Sequence, residues 1–313
     1  MKVLVIGANG MIGSTIFDYL YGGTDWSVFG TIRNDTNIAY FPRTMTDNLF
    51  SNVELNNQDI LISTLLKVKP DVVINCAGLT KHKAEADNPL EILPINGMLP
   101  HRLASLCELT GARLIHISTD CVFSGKKGNY KEDDFADACD LYGRSKVLGE
   151  NLRPPHITLR ISTIGHELQT KYGLLEWFLS QNQQCQGFKK AIFSGFPTVV
   201  FAQILKDYII PNRNLTGLYH VAAEPIAKYD LLKMIAQKYK KDIEIIPNNT
   251  SIIDRSLDGQ LFANATSYTP PSWSEMIDQM YDYNCWKKDN FNDVSSDLKD
   301  KATVNYETKK KLA

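Results

Sequence analysis

Three side chains in this sequence have the types and spacing needed for proton transfer to a carbonyl oxygen. Tyr142 and Lys146 stand four residues apart, so a helix places them one above the other on the same face. Thr119 directly follows an apolar run that predicts a buried strand over residues 113–118. In such a set the phenol gives the proton, the ammonium lowers the pKa of the phenol, and the second hydroxyl holds the carbonyl oxygen. The competing interpretation is a solvated helix face, because many helices carry a Tyr-x-x-x-Lys pair by chance.

The first residues of the chain weigh against that competing interpretation. Residues 2–6 form a continuous aliphatic run, which predicts a strand buried on both faces of a parallel sheet. The strand leads into a glycine-rich turn and then a helical pattern, the context in which glycines bind phosphate. Gly7 permits the turn, Gly10 lets a pyrophosphate approach, and Gly13 lets the helix pack closely on the strand. The predicted cofactor-binding residues here are Gly7, Asn9, Gly10, Met11, Ile12 and Gly13. The alternative is a glycine turn in an α/β protein that binds no nucleotide.

The end of the next predicted strand, residues 27–32, indicates which dinucleotide the turn binds. Proteins of this kind that prefer NAD usually place an acidic residue here, where it binds the 2′-hydroxyl of the ribose. This chain has Arg33 instead, and a guanidinium suits a 2′-phosphate. The sequence therefore predicts NADPH, with NADH as the other cofactor to test. A surface arginine without a cofactor role is the competing interpretation.

Two further segments follow predicted strands. Asp59 and Ile60 stand where an adenine contact is expected after a third strand, although a helix N-cap explains Asp59 equally well. Ala77 and Gly78 follow a buried strand over residues 71–75, and their small size lets a ribose or nicotinamide come close to the sheet. Ligands of open parallel sheets bind at the carboxyl ends of the strands. The shared position at strand ends is the main reason to predict one binding site from these segments.

Strands and helices alternate from residue 1 to about 165, which predicts an α/β fold with a Rossmann-type doubly wound parallel sheet. We expect residues 1–165 to form this NAD(P)-binding domain, with a return segment at about 195–212. Residues 166–288 then form a smaller, mixed α/β substrate domain, because the regular alternation decays there. Residues 289–313 are hydrophilic and lack apolar periodicity, so they predict a disordered tail.

Composition excludes several classes of protein. The 313 residues carry a formal net charge of −1, and no basic run precedes the last few residues, which argues against a nucleic-acid partner. The six cysteines lack any C-x-x-C spacing, so a zinc site and a disulfide framework are both disfavoured. No apolar run approaches the roughly 18 residues of a membrane span. We therefore expect a cytoplasmic protein without a membrane partner.

Taken together, the motifs resemble those of the extended short-chain dehydrogenase/reductase family, and most closely its dTDP-4-dehydrorhamnose reductase-like subgroup. The motifs are the glycine turn at 7–13, Asn75-Cys76-Ala77-Gly78, Ser118-Thr119-Asp120 and Tyr142-x-x-x-Lys146. Further similar stretches are Lys83-Ala84-Glu85, Leu141-Tyr142-Gly143, Gly217-Leu218-Tyr219-His220 and Lys228-Tyr229. The resemblance covers about residues 1–285 and is densest in the first half.

The resemblance implies an NADPH-dependent reduction of a nucleotide-linked 4-keto-6-deoxysugar, in the supply of surface polysaccharide precursors. Tyr142 would give a proton to the developing alkoxide, and Lys146 would stabilise the tyrosinate and bind the nicotinamide ribose. Thr119 would hold the carbonyl oxygen as charge grows on it. The implied partner is a nucleotide-diphosphate sugar, and a homodimer is one of the arrangements left open.

The chain departs from the subgroup at positions that concern the substrate. Cys121 replaces the tyrosine that the subgroup has after Thr-Asp, and the subgroup's Arg-Pro-x-Asn-Ser stretch is only partly matched at residues 254–258. The identity of the nucleotide is therefore left open among dTDP, UDP and GDP. The predicted substrate-binding residues are Thr119, Asp120, Cys121, Trp177 and Arg255. Trp177 stacks on a base or sugar or belongs to the core, and Arg255 binds the diphosphate or forms a surface ion pair. No metal is predicted, because Glu85 alone is too little to hold one.

Other functions remain open on the same scaffold. The first is a non-catalytic NADP-binding regulatory subunit, a role that some proteins of this subgroup have. The others are an epimerase or a dehydratase of sugar nucleotides. The missing acidic residue at the second strand disfavours both of these, and Cys121 stands where a dehydratase would need a second carboxylate beside Thr119. Among the remaining polar residues, His166 is a candidate to face the site, whereas His220 and Arg160 are expected to be structural.

Overall fold

The computed structural model describes residues 1–81 and 84–291. The strands are β1 (Lys2–Ile6), β2 (Ser27–Thr31), β3 (Leu49–Phe50), β4 (Val72–Asn75), β5 (Arg113–Thr119), β6 (Ile157–Ile161), β7 (Thr163–Ile164), β8 (Gln184–Phe188), β9 (Ala191–Phe193), β10 (Phe196–Pro197), β11 (Gly217–His220), β12 (Ile226–Ala227), β13 (Glu244–Asn248) and β14 (Ile253–Asp254). Seven of them form one sheet in the order β11-β6-β5-β4-β1-β2-β3. Every neighbouring pair in this sheet is parallel, so the predicted doubly wound parallel sheet is confirmed.

The helices connect successive strands and cover both faces of this sheet. They are α1 (Met11–Gly23), α2 (Arg43–Thr46), α3 (Gln58–Val68), α4 (Pro89–Ile92), α5 (Leu99–Thr110), α6 (Leu141–Leu148), α7 (Leu174–Ser180), α8 (Thr198–Ile204), α9 (Lys228–Lys238), α10 (Gln260–Thr266) and α11 (Trp273–Phe291). A π-helical turn, Leu93–Met98, joins α4 to α5. No helix within 1–81 and 84–291 is long and apolar enough to cross a membrane.

The sheet is buried on both faces because its strands carry apolar side chains at nearly every position. In β1, Val3 and Val5 pack into the core on the side of α1 and α8, whereas Leu4 and Ile6 pack into the core on the side of α3 and α5. This alternation is the two-residue period of a strand. Phe17 of α1 is fully buried, which contributes about 2 kcal/mol by the usual transfer estimate.

The return segment reaches further than the predicted residues 195–212. It includes β11, which pairs with β6 at the edge of the large sheet, although the sequence placed this strand in the smaller domain. Arg113, buried at the start of β5, donates from its two terminal nitrogens to the carbonyls of Ile209 and Leu215 at 2.8 and 2.5 Å. The segment is thus tied to the centre of the first domain by side-chain contacts as well as by strand pairing.

The remaining strands build the smaller part of the molecule. A three-stranded sheet has the order β12-β9-β14, and a separate parallel pair joins β8 to β13. The last helix, α11, ends at Phe291, so residues 289–291 are helical within the segment predicted as a tail. The rest of that tail, residues 292–313, lies outside the described residues, as do residues 82–83 at the Lys83-Ala84-Glu85 stretch.

Candidate active site

A cleft of about 580 Å³ opens at the carboxyl ends of β1, β2 and β4. Predicted site residues that line it are Gly7, Asn9, Gly10, Met11, Ile12, Arg33, Ala77, Gly78, Cys121 and Tyr142. These residues come from five separate segments, and the parallel sheet brings them together because its strands all end at the same edge.

Two glycines of the first turn are required by the packing. Gly7 has a φ of +80°, and a side chain there would bring a Cβ to 3.1 Å from the backbone nitrogen of Ala77. At Gly13 a Cβ would lie only 2.2 Å from the carbonyl oxygen of Gly7, so α1 packs against the turn only without a side chain. The predicted steric role of Gly13 is therefore present, although the residue does not line the cleft.

The amino end of α1 suits an anion. Gly10 is the N-cap, no side chain caps it, and the first turn carries no acidic residue. The first amides of a helix lack partners within the helix and carry partial positive charge. Phosphate groups bind well at such an end. The cradle of Gly7, Gly10 and the amides of Met11 and Ile12 therefore fits the pyrophosphate of a dinucleotide.

The adenosine side of the cleft differs in part from the sequence prediction. Arg33 lines it, but Asp59 and Ile60 do not. Both lie in the first turn of α3, where their amides donate to the Asn57 side chain at 3.0 and 3.2 Å. The cause is the position of β3, which ends at Phe50, nine residues before Asp59. The residues that line the cleft after β3 are Val53, Glu54 and Leu55.

A segment over residues 167–174 forms the opposite wall of the cleft, a role that no sequence pattern indicated. The Gln169 side-chain nitrogen donates to the Asn37 side-chain oxygen at 2.8 Å, which ties the segment to the far side of the cleft. Within the segment, the Glu167 carboxylate accepts from the Thr170 hydroxyl and the Gly173 amide, both at 2.8 Å. The segment is therefore held in shape by hydrogen bonds between its own residues.

Helix α6 carries Tyr142 and Lys146, as predicted. Its first turn is capped by Asp140, whose side chain accepts from the Gly143 amide at 2.6 Å. A Cβ on Gly143 would lie 2.4 Å from the carbonyl oxygen of Cys121, so the helix packs directly on the turn that follows β5. This contact brings the Tyr142 side chain beside the Thr119 hydroxyl.

Thr119 ends β5 and holds the turn after it. Its hydroxyl accepts from the Cys121 amide and donates to the Asp120 carboxylate, both at 3.1 Å. The pKa of Tyr142 is raised, first by burial and then by the neighbouring Cys121 and Asp120, while the nearby Thr119 hydroxyl acts in the opposite direction. We expected Lys146 to lower the pKa of Tyr142, but in the structure the pKa of Tyr142 is raised.

Lys146 is buried beneath the cleft. Its ammonium donates to the carbonyl of Ile117 at 2.7 Å. Burial lowers its pKa to about 8, against smaller opposing effects of Glu150 and Cys76. The lysine therefore keeps most of its charge at neutral pH, close to the point at which it loses its proton.

Asn96 supports this arrangement and was not predicted as a site residue. It is buried in the π-helical turn before α5, where its side chain bonds both the amide and the carbonyl of Leu79 at 2.9 Å. The same side chain donates to the Ser145 hydroxyl of α6 at 3.1 Å. It thereby links the cleft wall to the helix that carries Tyr142. A polar residue inside an apolar helical pattern was the available signal.

The predicted substrate residues separate into two groups. Trp177 packs against the main hydrophobic core and does not line the cleft. Arg255 donates from Nε to the carbonyl of Phe123 at 2.8 Å, close behind the turn that holds Asp120 and Cys121. Burial, and then Asp120, raise the pKa of the Cys121 thiol to about 11, while Lys81 and Arg255 act against this rise.

The other polar candidates belong to structural networks. Arg160 forms a two-point ion pair with Glu150, both contacts being 2.8 Å, and its guanidinium also meets the His220 ring. His166 bonds Glu176 at 2.6 Å and the Tyr239 hydroxyl at 2.9 Å, and it lines a second cavity of about 470 Å³. In the described part of the chain, no group of three or more His, Cys, Asp or Glu side chains has metal-binding geometry.

Fold and site together define an α/β protein with a Rossmann-type doubly wound sheet and a cleft at the carboxyl ends of its parallel strands. Residues 1–283 match the family described as the RmlD substrate binding domain, and the chain belongs to that family.

The individual relatives share only a minority of their residues with this chain. The chain is 26% identical over 261 residues to a dTDP-4-dehydrorhamnose reductase of Aggregatibacter actinomycetemcomitans, which covers 78% of this chain and 83% of that protein. It is 25% identical over 253 residues to methionine adenosyltransferase 2 subunit beta of Danio rerio, covering 76% and 74% respectively. Among solved structures, a dTDP-4-dehydrorhamnose reductase from Bacillus anthracis in complex with NADP shares the fold, with a TM-score of 0.72, 21% identity and coverage of 90% and 97%.

Proposed function

We propose that this protein is a cytoplasmic NADPH-dependent reductase of a nucleotide-linked 4-keto-6-deoxysugar, acting in the supply of surface polysaccharide precursors. The observation that carries the proposal is the position of Tyr142 in a dinucleotide-type cleft, beside the Thr119 hydroxyl and with the Lys146 ammonium buried beneath it. Membership of a family whose relatives include dTDP-4-dehydrorhamnose reductases supports the same reaction.

The cleft offers a fitting place for the cofactor. The glycine turn and the free amides of α1 would hold the pyrophosphate, and Ala77 with Gly78 would let the ribose and nicotinamide lie against the sheet. Arg33 favours a 2′-phosphate, whereas Glu54 on the same side of the cleft is a carboxylate that would favour NADH. We assign NADPH because Arg33 follows β2 closely, where the ribose of the adenosine is expected. When bound, the nicotinamide supplies the hydride.

The chain's own residues supply the proton and the position of the substrate. Thr119 would turn its hydroxyl proton from the Asp120 carboxylate to the keto oxygen, and Tyr142 gives its proton to the same oxygen as negative charge develops. A raised pKa keeps Tyr142 protonated at neutral pH, which is the state that proton donation in the reducing direction needs. The Lys146 ammonium then stabilises the phenolate that remains.

The direct test is NADPH oxidation, followed optically against 4-keto-6-deoxysugars carried on dTDP, UDP and GDP, with NADH in parallel. We expect turnover with at least one of them and a higher kcat/KM with NADPH. Tight NADPH binding without oxidation of any keto sugar would contradict the proposal.

That second outcome would favour a regulatory subunit, the candidate supported by the match to methionine adenosyltransferase 2 subunit beta. The presence of Thr119, Tyr142 and Lys146 together at the cleft favours the enzyme, because a binding subunit has no need of a proton donor. An epimerase or dehydratase is less well supported. The turn after β5 offers Asp120 as its one carboxylate, followed by Cys121.

A further inference from the structure

The segment over residues 167–174, which we call the strap, crosses the cleft on the side that we propose for the cofactor. Near one end of the strap, a Cβ on Gly173 would lie 3.6 Å from the sulfur of Met11, the first residue of α1. Nearer the other end, the Gln169 side chain donates to the Asn37 side chain at 2.8 Å, in the helical turn that follows β2. The strap therefore reaches from the proposed pyrophosphate site to the proposed adenosine site.

Hydrogen bonds close the strap into a compact loop. At its base, the ring of His166, the residue directly before the strap, bonds the Glu176 carboxylate just beyond its end at 2.6 Å. Inside the loop, the Glu167 carboxylate accepts from the Thr170 hydroxyl and the Gly173 amide. Loops whose ends are joined and whose interior is filled by their own side chains behave as compact units. The strap can therefore move as one body about its base.

The strap also has free volume on its far side. Glu167 and Leu168 line the cleft and, in addition, the second cavity of about 470 Å³. The strap is therefore a thin partition between two open volumes. A segment packed against a dense interior has no room to withdraw. This segment has room, because the second cavity lies directly behind it.

The bond between Gln169 and Asn37 is the latch that holds the strap across the cleft. A hydrogen bond between two neutral side chains shifts an opening equilibrium by only about fivefold, so it can break without disturbing the fold. We propose that the strap is a lid that retains the dinucleotide, which enters and leaves when this bond breaks and the strap withdraws into the second cavity. The inference rests on the proposed function for the place of the cofactor, but not for the reaction.

The alternative is a fixed wall whose side chains contact the cofactor. Removing a contact between protein and cofactor raises the release rate constant koff and leaves the association rate constant kon nearly constant. Removing a latch between two protein side chains weakens the closed arrangement with and without cofactor. Both kon and koff then rise, and Kd stays nearly constant. The two rate constants together therefore distinguish a lid from a wall.

The experiment measures kon and koff of NADPH with the full chain by stopped-flow fluorescence, with excess NADP to displace bound NADPH. We expect Gln169→Ala to raise both rate constants about fivefold and to change Kd by less than about twofold, since one neutral hydrogen bond is lost. The matched control is Lys171→Ala, because Lys171 lies in the strap, is exposed and is outside the cleft lining. At physiological ionic strength that control should change either rate constant by less than about twofold.

The other half of the latch gives a second test. Asn37→Ala removes the same hydrogen bond from the opposite side of the cleft. In an Asn37→Ala background, Gln169→Ala should therefore have no further effect on kon or koff, because the two changes remove one shared interaction. Independent, additive effects of the two substitutions would overturn the latch.

A change of opposite sign tests the free volume behind the strap. Asn284 lies on α11 and lines the second cavity. Asn284→Trp fills part of the volume into which the strap withdraws, so both kon and koff should fall while Kd stays constant. Unchanged rate constants in this variant would overturn the withdrawal of the strap into that cavity.

The lid and the reductase fail separately. An unchanged koff in Gln169→Ala would overturn the lid, and so would a rise in koff with constant kon, which indicates a fixed wall. If both rate constants rise while no keto sugar is reduced, the lid stands and the reductase assignment falls. If keto sugars are reduced and the rate constants do not change, the reductase stands and the lid falls. A chain that binds no NADPH would overturn both.

Discussion

The two sides of the cleft are built by different means. The side of the cleft that we propose for the cofactor consists of backbone amides and small residues within one continuous turn, where Gly7 and Gly13 permit contacts that a Cβ would block. The side that we propose for the substrate consists of side chains from distant segments, among them Asp120 after β5 and Arg255 after β14. One side is therefore set by local sequence and the other by tertiary packing. The difference teaches that changes in the turn should act on folding and cofactor together, whereas changes in the charges should act on the substrate alone.

The largest effect should come from the residue at which the two sides meet. Tyr142→Phe removes the proton donor, and we expect kcat to fall about 1,000-fold, within the range of general acid catalysis. The affinity for NADPH should change by less than about twofold. Steady-state kinetics and a fluorescence titration of NADPH measure the two quantities. An equal loss in both would show that Tyr142 is a structural residue.

Gly13→Ala tests whether the cofactor side depends on close backbone packing. The new Cβ would lie 2.2 Å from the Gly7 carbonyl oxygen, so the free energy of unfolding should fall by about 3 kcal/mol. Gly22→Ala is the matched control on the same helix, because no atom lies within 4 Å of its Cβ position. That variant should be neutral or slightly more stable. Chemical denaturation that finds both variants equal would contradict the packing explanation.

Lys146→Met tests the cost of burying an ammonium beneath the cleft. The pKa of Lys146 is about 8 in the folded chain against 10.5 for an ordinary lysine, so the charged form destabilises the fold at pH 7. Allowing for the lost bond to Ile117, the variant should be more stable by about 2 kcal/mol at pH 7. The Lys146→Met variant should nevertheless lose catalytic turnover, because it lacks the ammonium that stabilises the phenolate of Tyr142.

The pH dependence of that difference has a definite sign. Between pH 8 and pH 10.5 the unfolded chain holds the Lys146 proton more tightly than the folded chain, so wild-type stability gains from this residue as pH rises. The Lys146→Met variant lacks this contribution. The difference in free energy of unfolding between the variant and the wild type should therefore decrease from pH 8 to pH 10.5. Urea denaturation of both proteins at pH 7 and pH 9.5 measures this difference in free energy of unfolding. A difference that is the same at both pH values would contradict the explanation.

Arg33→Ala should have the smallest effect and concerns the cofactor side alone. We expect NADPH to bind about tenfold more weakly, because a charge-assisted contact to the 2′-phosphate is lost. The affinity for NADH should stay nearly constant. Arg43→Ala is the control, since Arg43 is exposed and lies outside the cleft lining. An equal loss of affinity for NADPH and for NADH would contradict the proposed preference for NADPH.

The two sides of the cleft also differ in how well the sequence predicts them. The glycine turn, Thr119 and the Tyr142–Lys146 pair were found because each lies in a short segment whose local pattern defines its position. Asp59 was misplaced because the two-residue strand β3 gives almost no periodic signal, so the loop after it was read as strand. The cofactor side could be predicted wherever strands were long enough to recognise.

The substrate side could not be predicted in the same way. Arg255 lies behind the turn after β5 because β14, a strand of only two residues, pairs with β9 and the Arg255 Nε donates to the Phe123 carbonyl. Nothing in the sequence fixes that register. The placement of Trp177 depended equally on packing, since its helical spacing among apolar residues suited both a core and a stacking position.

The return of the chain to the large sheet has a consequence for engineering. α8 packs on α1, β11 completes the sheet beside β6, and Arg113 reaches across to residues 209 and 215. A fragment cut at residue 165 would thus lose an edge strand and one covering helix, and would leave a buried guanidinium without acceptors. The smaller part of the molecule is consequently formed by two stretches on either side of the returning chain, rather than by one detachable module. Chimeras that exchange substrate preference should graft inside residues 166–195 and 221–288, and keep the chain between them in place.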